Sequence, residues 1–177
     1  MKWLKRILLG LLVAAGLFVA IGLLLPGKYH VQRSIAIAAG PAQIYPYLAT
    51  LKKWPEWSAW TTAQDPTLVY SYEGPDSGIG AISRWEAKQL GQGEMKLTAA
   101  DPAKGVEFDL SFEHGQYRCV GAMRFTPTGG DTQLVWSMDG DAGANPISRW
   151  FNLLMDQMVG PDLEAGLAKL KRVAEGK

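Results

Sequence analysis

Hydrophobic and polar positions follow three different patterns along this chain. From Ile7 to Leu25 no side chain is charged or strongly polar. At 1.5 Å per residue that run makes roughly 28 Å of helix, about the hydrocarbon thickness of a bilayer. From Thr67 onward the period is two, giving candidate strands at Thr67–Glu73, Gly80–Lys88, Gly93–Ala100, Val106–Glu113, Tyr117–Pro127 and Thr132–Gly140. Turn signals separate them at Gly74-Pro75-Asp76, Gly91, Asp101-Pro102, His114-Gly115 and Gly129-Gly130-Asp131. After Asn145 the spacing becomes helical. Ile147, Phe151, Leu154, Met155 and Met158 recur at three- and four-residue steps, and Leu163, Leu167 and Leu170 resume the stripe after Gly160-Pro161.

The last stretch reads as one amphipathic helix from Asn145 to about Glu175. Asn145 offers an acceptor to a free N–H of the first turn, and Pro146 occupies a position whose N–H has no intrahelical partner. Pro161 cannot donate to Gln157 and its ring crowds that carbonyl, which predicts a bend there. Ahead of the two-residue pattern, His30 to Ala38 reads as a first strand, and Gly40-Pro41 opens a helix containing Ile44, Tyr45, Leu48 and Leu51. Trp54, Trp57 and Trp60 then follow in quick succession. That is more aromatic area than a surface loop holds, so the segment is expected as a short helix or turn folded over an apolar opening.

Short connections between the strands imply an antiparallel meander. Phe108, Leu110 and Phe112 share one face of a strand while Glu107, Asp109, Ser111 and Glu113 take the other, so one side of the sheet is buried and one is wet. The terminal helix is the expected cover for the buried side. The fold class is α+β, a curved antiparallel sheet wrapped around a long C-terminal helix.

Val31-Gln32-Arg33-Ser34-Ile35, Gly40-Pro41-Ala42-Gln43-Ile44-Tyr45, Trp54-Pro55-Glu56-Trp57, Gly78-Ile79-Gly80-Ala81, Trp85, Gly93-Glu94-Met95 and the Leu163–Leu170 helix together resemble the START-like superfamily, also labelled polyketide cyclase/dehydrase or SRPBCC. The resemblance covers about Tyr29 to Lys171. It implies the helix-grip fold and a ligand cavity between the concave face of the sheet and the long helix. It does not name a function, since similar proteins bind lipids, quinones, hormones, polyketides or no known ligand. Carried onto this sequence, the cavity wall would draw on Trp57, Trp60, Tyr70, Trp85, Phe112, Trp136, Met155 and Met158. Aromatic and thioether side chains suit a flat or flexible apolar ligand, and plain core filling is the competing reading for each of them. Some similar proteins continue into a second, effector-binding domain, which is not expected here after Lys177.

The expected organisation is a transmembrane anchor over residues 1–28 and a START-like domain over 29–177. Lys2, Lys5 and Arg6 precede the apolar run, which favours a cytoplasmic N-terminus with the domain periplasmic or otherwise extracytoplasmic; Lys28 and Arg33 just beyond it argue the other way. A cleavable signal peptide is the rival reading. Its apolar core is usually about 7–15 residues with a small-residue cleavage site behind it, whereas Leu23-Leu24-Leu25-Pro26-Gly27-Lys28 follows here. Gly10, Ala14, Gly16 and Ala20 have the small-residue spacing that lets two spans pair, so a weak homodimer through the anchor is a further expectation.

Net charge is +1 with basic and acidic residues mixed along the body, so no electrostatic footprint for nucleic acid is present. Cys119, the one cysteine, is expected as buried packing. His30 and His114 lack Cys or carboxylate companions at ligand spacing, so neither a metal nor another cofactor is expected. Arg84, Glu94, Asp109 and Arg124 alternate onto the wet face, and Asp156 and Glu164 are expected to pair with Arg149 and Lys171 or to face water. No general acid–base pair and no Ser-His-acid constellation around Ser34, Ser58 or Ser137 emerges, so no catalytic residue is assigned. Gly74 to Gly80 is glycine-rich but lacks the Gly-Lys-Ser/Thr of a phosphate-binding loop; it reads as a hairpin loop and a candidate lid beside the cavity mouth.

Three functions remain open. The leading one is a membrane-anchored, non-catalytic domain that binds a lipid, quinone or polyketide-like molecule. The second is a cyclase, dehydratase or hydrolase acting on a bulky apolar substrate, which needs an inward acid–base residue with a shifted pKa. The third is an interaction module with a filled core and Trp54–Trp60 as its contact surface.

Overall fold

The computed structural model describes residues 2–129 and 131–177; Gly130, part of one predicted turn, lies outside the described residues. An N-terminal helix α1 (Lys2–Leu24) leads into β1 (Lys28–Ile37), α2 (Pro41–Ala49) and a single-turn α3 (Trp54–Trp57). Six strands follow: β2 (Val69–Glu73), β3 (Ile82–Glu86), β4 (Gln92–Asp101), β5 (Gly105–Phe112), β6 (Tyr117–Thr128) and β7 (Asp131–Asp141). Two helices, α4 (Pro146–Asn152) and α5 (Met155–Ala174), close the chain.

The strands form one seven-stranded sheet in the order β1-β7-β6-β5-β4-β3-β2, every neighbouring pair antiparallel. The meander from β2 to β7 is the one the alternating pattern predicts. β1 adds to its end, pairing from Lys28↔Asp141 to Ile37↔Thr132. A register shift between Leu97 and Ala99 in β4 marks a bulge, which bends the strand and deepens the concave face. α5 lies in that concavity with Leu163, Leu167 and Leu170 buried against Trp136, Leu134 and Ile37, and α2 and α3 add Ile44, Leu48, Trp54 and Trp57 to the same core.

The terminal segment is two helices rather than one, with the break at Leu153-Leu154. Asn145 caps α4 as expected, its Oδ1 accepting from the N–H groups of Ile147 and Ser148. Two partners pull the segment in different directions. α4 is tied to the end of α1: Arg149 Nη1 donates to the Leu23 carbonyl at 2.5 Å and Asn152 Nδ2 to the Gly27 carbonyl at 2.7 Å. α5 is held to β1 by Arg33, whose guanidinium lies against Gly160 and pairs with Asp156 on one side (2.7 Å) and Glu164 on the other (2.5 Å). Asp156, Gly160 and Glu164 follow at four-residue steps, so they stack on one face of α5. Pro161 sits within α5, whose span Met155–Ala174 runs through it.

Two other expectations change here. Asp156 and Glu164 take Arg33 as their partner, not Arg149 and Lys171. The glycine-rich loop does not line the cavity on the concave face: Gly78 N–H donates to Ala49 O, Gly80 N–H to Leu97 O, both at 2.9 Å, and Asp76 pairs with Lys52. Backbone bonds to α2 and β4 pin it, which a hairpin reading from sequence has no means of seeing.

Candidate functional site

The concave face is unevenly filled. Toward the end of the sheet away from α1, Ile37, Leu97, Val106, Met123 and Leu134 are all fully buried. The opposite end is open. One cross-strand row there runs Tyr29, Gly140, Cys119, Leu110, Met95, Ser83, and the next runs Phe112, Gly93, Trp85, Tyr70. Between these rows and the first turns of α5 lies a cavity of about 220 Å³. Because β1 begins shortly after Leu24, this is the end of the sheet nearest α1.

Two glycines shape the wall. A Cβ on Gly140 would overlap the Tyr29 ring, and one on Gly93 the Trp85 ring, so both aromatics lie flat on strand backbone where any larger residue would lift them. Trp85 then meets Phe112 edge to face at 5.5 Å between ring centroids. Trp60 and Trp54 meet Trp136 in the same manner at 6.0 and 5.9 Å, forming an aromatic floor.

Six of the eight candidate residues come together here: Trp60, Tyr70, Trp85, Phe112, Trp136 and Met155. Trp57 and Met158 do not. Trp57 is completely buried behind Trp54, its Nε1 donating to Tyr47 O at 3.2 Å, so it is core. Met158 is exposed; Leu163, Leu167 and Leu170 set the inward face of α5, and Met158 falls about 140° around the helix from Leu163.

The wall also includes residues that sequence reading did not single out, among them Tyr29, Leu68, Leu90, Val159 and Asp162. Leu68 and Leu90 are brought in by Asp65, a buried carboxylate. It accepts from Thr67 Oγ1 at 2.6 Å and from the backbone N–H groups of Thr67 (2.9 Å), Gln89 (2.6 Å) and Leu90 (3.2 Å). The Thr67 hydroxyl and then the Gln89 N–H hold its pKa down to about 2. The Asp65-Pro66-Thr67 run is an Asx-turn signal that could have been read; its second partner, across the β3–β4 loop, could not.

Polar groups in the cavity are sparse. Ser58 Oγ and Tyr70 OH both donate to Trp60 O, at 3.2 and 3.0 Å, and burial pushes the Tyr70 phenol up to about 12. Burial likewise raises the Cys119 thiol to about 11, so it is a neutral, inert wall group. Asp162 is raised by burial, partly offset by a hydrogen bond from the Trp60 side chain. Trp136 Nε1 is the one fully buried side-chain donor left without a partner among the described residues. No cluster of three or more His, Cys, Asp or Glu at metal-binding geometry occurs among them either.

The profile of the family described as polyketide cyclase/dehydrase and lipid transport matches residues 28–175. The chain belongs to that family. Solved structures agree on the architecture of this polyketide cyclase/dehydrase and lipid transport domain. It is similar to a protein from Chromobacterium violaceum (12% identity, 82% of this chain and 96% of that one, TM-score 0.59) and to truncated norcoclaurine synthase from Thalictrum flavum (13%, 82% and 92%, TM-score 0.59). The solution structure of the KanY protein is similar too (13% identity, 84% and 99% coverage, TM-score 0.60). At these identities the likeness is one of fold. No curated protein matches the chain.

Proposed function

We propose that this family member is a membrane-anchored carrier or receptor whose cavity holds one apolar small molecule without converting it. The observation that carries the reading is the cavity itself, walled by aromatic and thioether side chains at the end of the sheet nearest α1. Its volume is below the roughly 300–1,000 Å³ of common ligand pockets, which favours a single ring system or an acyl segment over a multi-ring substrate.

An 18-residue stretch of α1 has a mean hydropathy of 2.8, and the helix has the length to cross a bilayer, as a signal sequence can also have. The contacts of Arg149 with Leu23 O and of Trp150 with Phe18, by stacking and by a hydrogen bond to its carbonyl, favour a retained anchor, since α4 packs on α1 itself. A sparingly soluble ligand partitions into the bilayer, and the anchor keeps the cavity beside that reservoir. The basic residues ahead of α1 favour an extracytoplasmic domain. A reporter active only outside the cytoplasm, fused after Lys177, is expected to be active; a silent fusion made at normal levels reverses the orientation.

Asp162 supports a second reading, turnover of the ligand. Its carboxyl lies in the cavity wall with a raised pKa, the property a general acid–base group needs. Native mass spectrometry of the full chain from its own host, followed by organic extraction, tests both. A stoichiometric apolar compound, recovered unchanged from wild type and from Asp162→Asn alike, supports carriage. Substrate accumulating only in Asp162→Asn establishes an enzyme. An empty protein that also refuses added quinones and fatty acyl esters ends the carrier reading.

A further inference from the structure

The most apolar exposed surface outside α1 is the α4–α5 junction. Ile147 (55% exposed), Phe151 (56%), Leu153 (50%), Leu154 (45%) and Met158 (58%) form a run of large apolar side chains open to the surroundings. From Ile147 to Met155 the only charged side chain is Arg149, and it is turned away, donating to the carbonyls of Leu23, Leu25 and Gly143. Asn152 is also turned inward, to Gly27 O. The polar side chains of α4 thus satisfy the terminal carbonyls of α1 and the link after it, and the apolar ones are left outside.

The position of α4 says what covers them. Its Trp150 stacks on Phe18 (5.0 Å between centroids, 9° between planes) and donates to Phe18 O at 3.1 Å. Gly22 lets the two helices touch; a Cβ there would stand 2.7 Å from Pro146 O. Phe18 precedes the end of α1 at Leu24 by about 9 Å at 1.5 Å per residue. If α1 crosses the bilayer, α4 lies beside its last turns, at the depth where interfacial amphipathic helices bury an apolar face roughly 5–10 Å deep and where tryptophan concentrates.

We infer that α4 and the start of α5 are a second membrane contact, an interfacial wedge inserted in the leaflet in which α1 ends, with the lipid acyl chains as its partner. The inference rests on α1 being a retained span. A second copy of the chain is the competing occupant; the bilayer is favoured because the apolar surface is continuous with that of α1 and bonded to it. Met155 and Val159 line the cavity and flank Leu154 and Met158, so the wedge sets the cavity rim against the acyl region. An apolar ligand can then pass from lipid to protein without crossing water.

The test uses the full chain in vesicles of phosphatidylcholine and phosphatidylglycerol, in a Cys119→Ser background, with an environment-sensitive fluorophore at Leu154→Cys, Val13→Cys or Lys104→Cys. Val13 reports the middle of α1 and Lys104 the far tip of the β4–β5 hairpin. Expected is a blue-shifted Leu154 label, quenched by lipid spin-labelled near the headgroup and spared by lipid labelled at the chain end. The Val13 label should be quenched from the chain end and the Lys104 label untouched. A water-like, unquenched Leu154 label beside a quenched Val13 label overturns the wedge and leaves the anchor standing. Both labels unquenched overturns the anchor and the wedge together. A blue-shifted Leu154 label that no spin-labelled lipid quenches, and that turns water-like as protein is diluted, assigns the surface to a second copy and overturns the proposal.

Discussion

Filling the cavity tests whether the concave face holds real empty space. Ser83 faces it from β3, opposite Met95, and is only 3% exposed. Ser83→Leu replaces a hydroxyl by about three carbon groups at ~0.8 kcal/mol each when buried, roughly 2.4 kcal/mol, from which rotamer ordering takes about 0.5–1 kcal/mol. The expected outcome is a ligand-free protein stabilised by ~1.5 kcal/mol that no longer takes up ligand. Ala81→Leu is the matched control. Ala81 lies two residues earlier, 2% exposed and in the packed core, where overpacking costs about 1–3 kcal/mol. Both are read from guanidinium unfolding of the full chain in nanodiscs by tryptophan fluorescence, with ligand occupancy by native mass spectrometry. If Ser83→Leu destabilises as much as Ala81→Leu, the space is not open and the filled-core interaction module becomes the better account. If it stabilises while occupancy is unchanged, the ligand sits elsewhere.

Trp136→Phe removes a buried N–H that has no partner, which relieves about 1–3 kcal/mol and so offsets part of the cost of the smaller ring; denaturant unfolding measures the net change. Leu167→Ala, in the middle of the buried stripe of α5, should cost about 2–5 kcal/mol by denaturant unfolding. Asp65 gives a pH signature. Its folded pKa of about 2 lies below the ~3.9 of an unfolded aspartate, so its stabilisation is complete above about pH 4 and fades as pH falls toward 2. Asp65→Asn should therefore lower Tm at neutral pH and flatten the acid limb of a Tm-against-pH series; an unchanged acid limb would mean that the carboxylate is not held by the β3–β4 loop.

Local pattern carried much of this protein. The apolar run became α1, the two-residue period became β2 to β7 within one or two residues at most ends, and Asn145-Pro146 started a helix as their chemistry dictates. These outcomes depend on neighbours in sequence, and a sheet with one buried face fixes its register through them. The resemblance to the START-like superfamily added the grip of the sheet on α5 and a cavity wall of which six of eight candidate residues stand in place. What tertiary structure alone decided involves partners far apart in sequence. The helical spacing predicted one terminal helix, yet the chain breaks at Leu153-Leu154, where Arg149 and Asn152 reach back to the end of α1 and the link after it while Arg33 pairs from β1 with Asp156 and Glu164. Trp57 and Trp60 look alike in the sequence, but one is core and the other is wall, since the wall is wherever packing from β1, α3 and α5 fails to meet. Periodicity names the buried face of each element; only the assembled layers determine where that face is filled and where it is left empty.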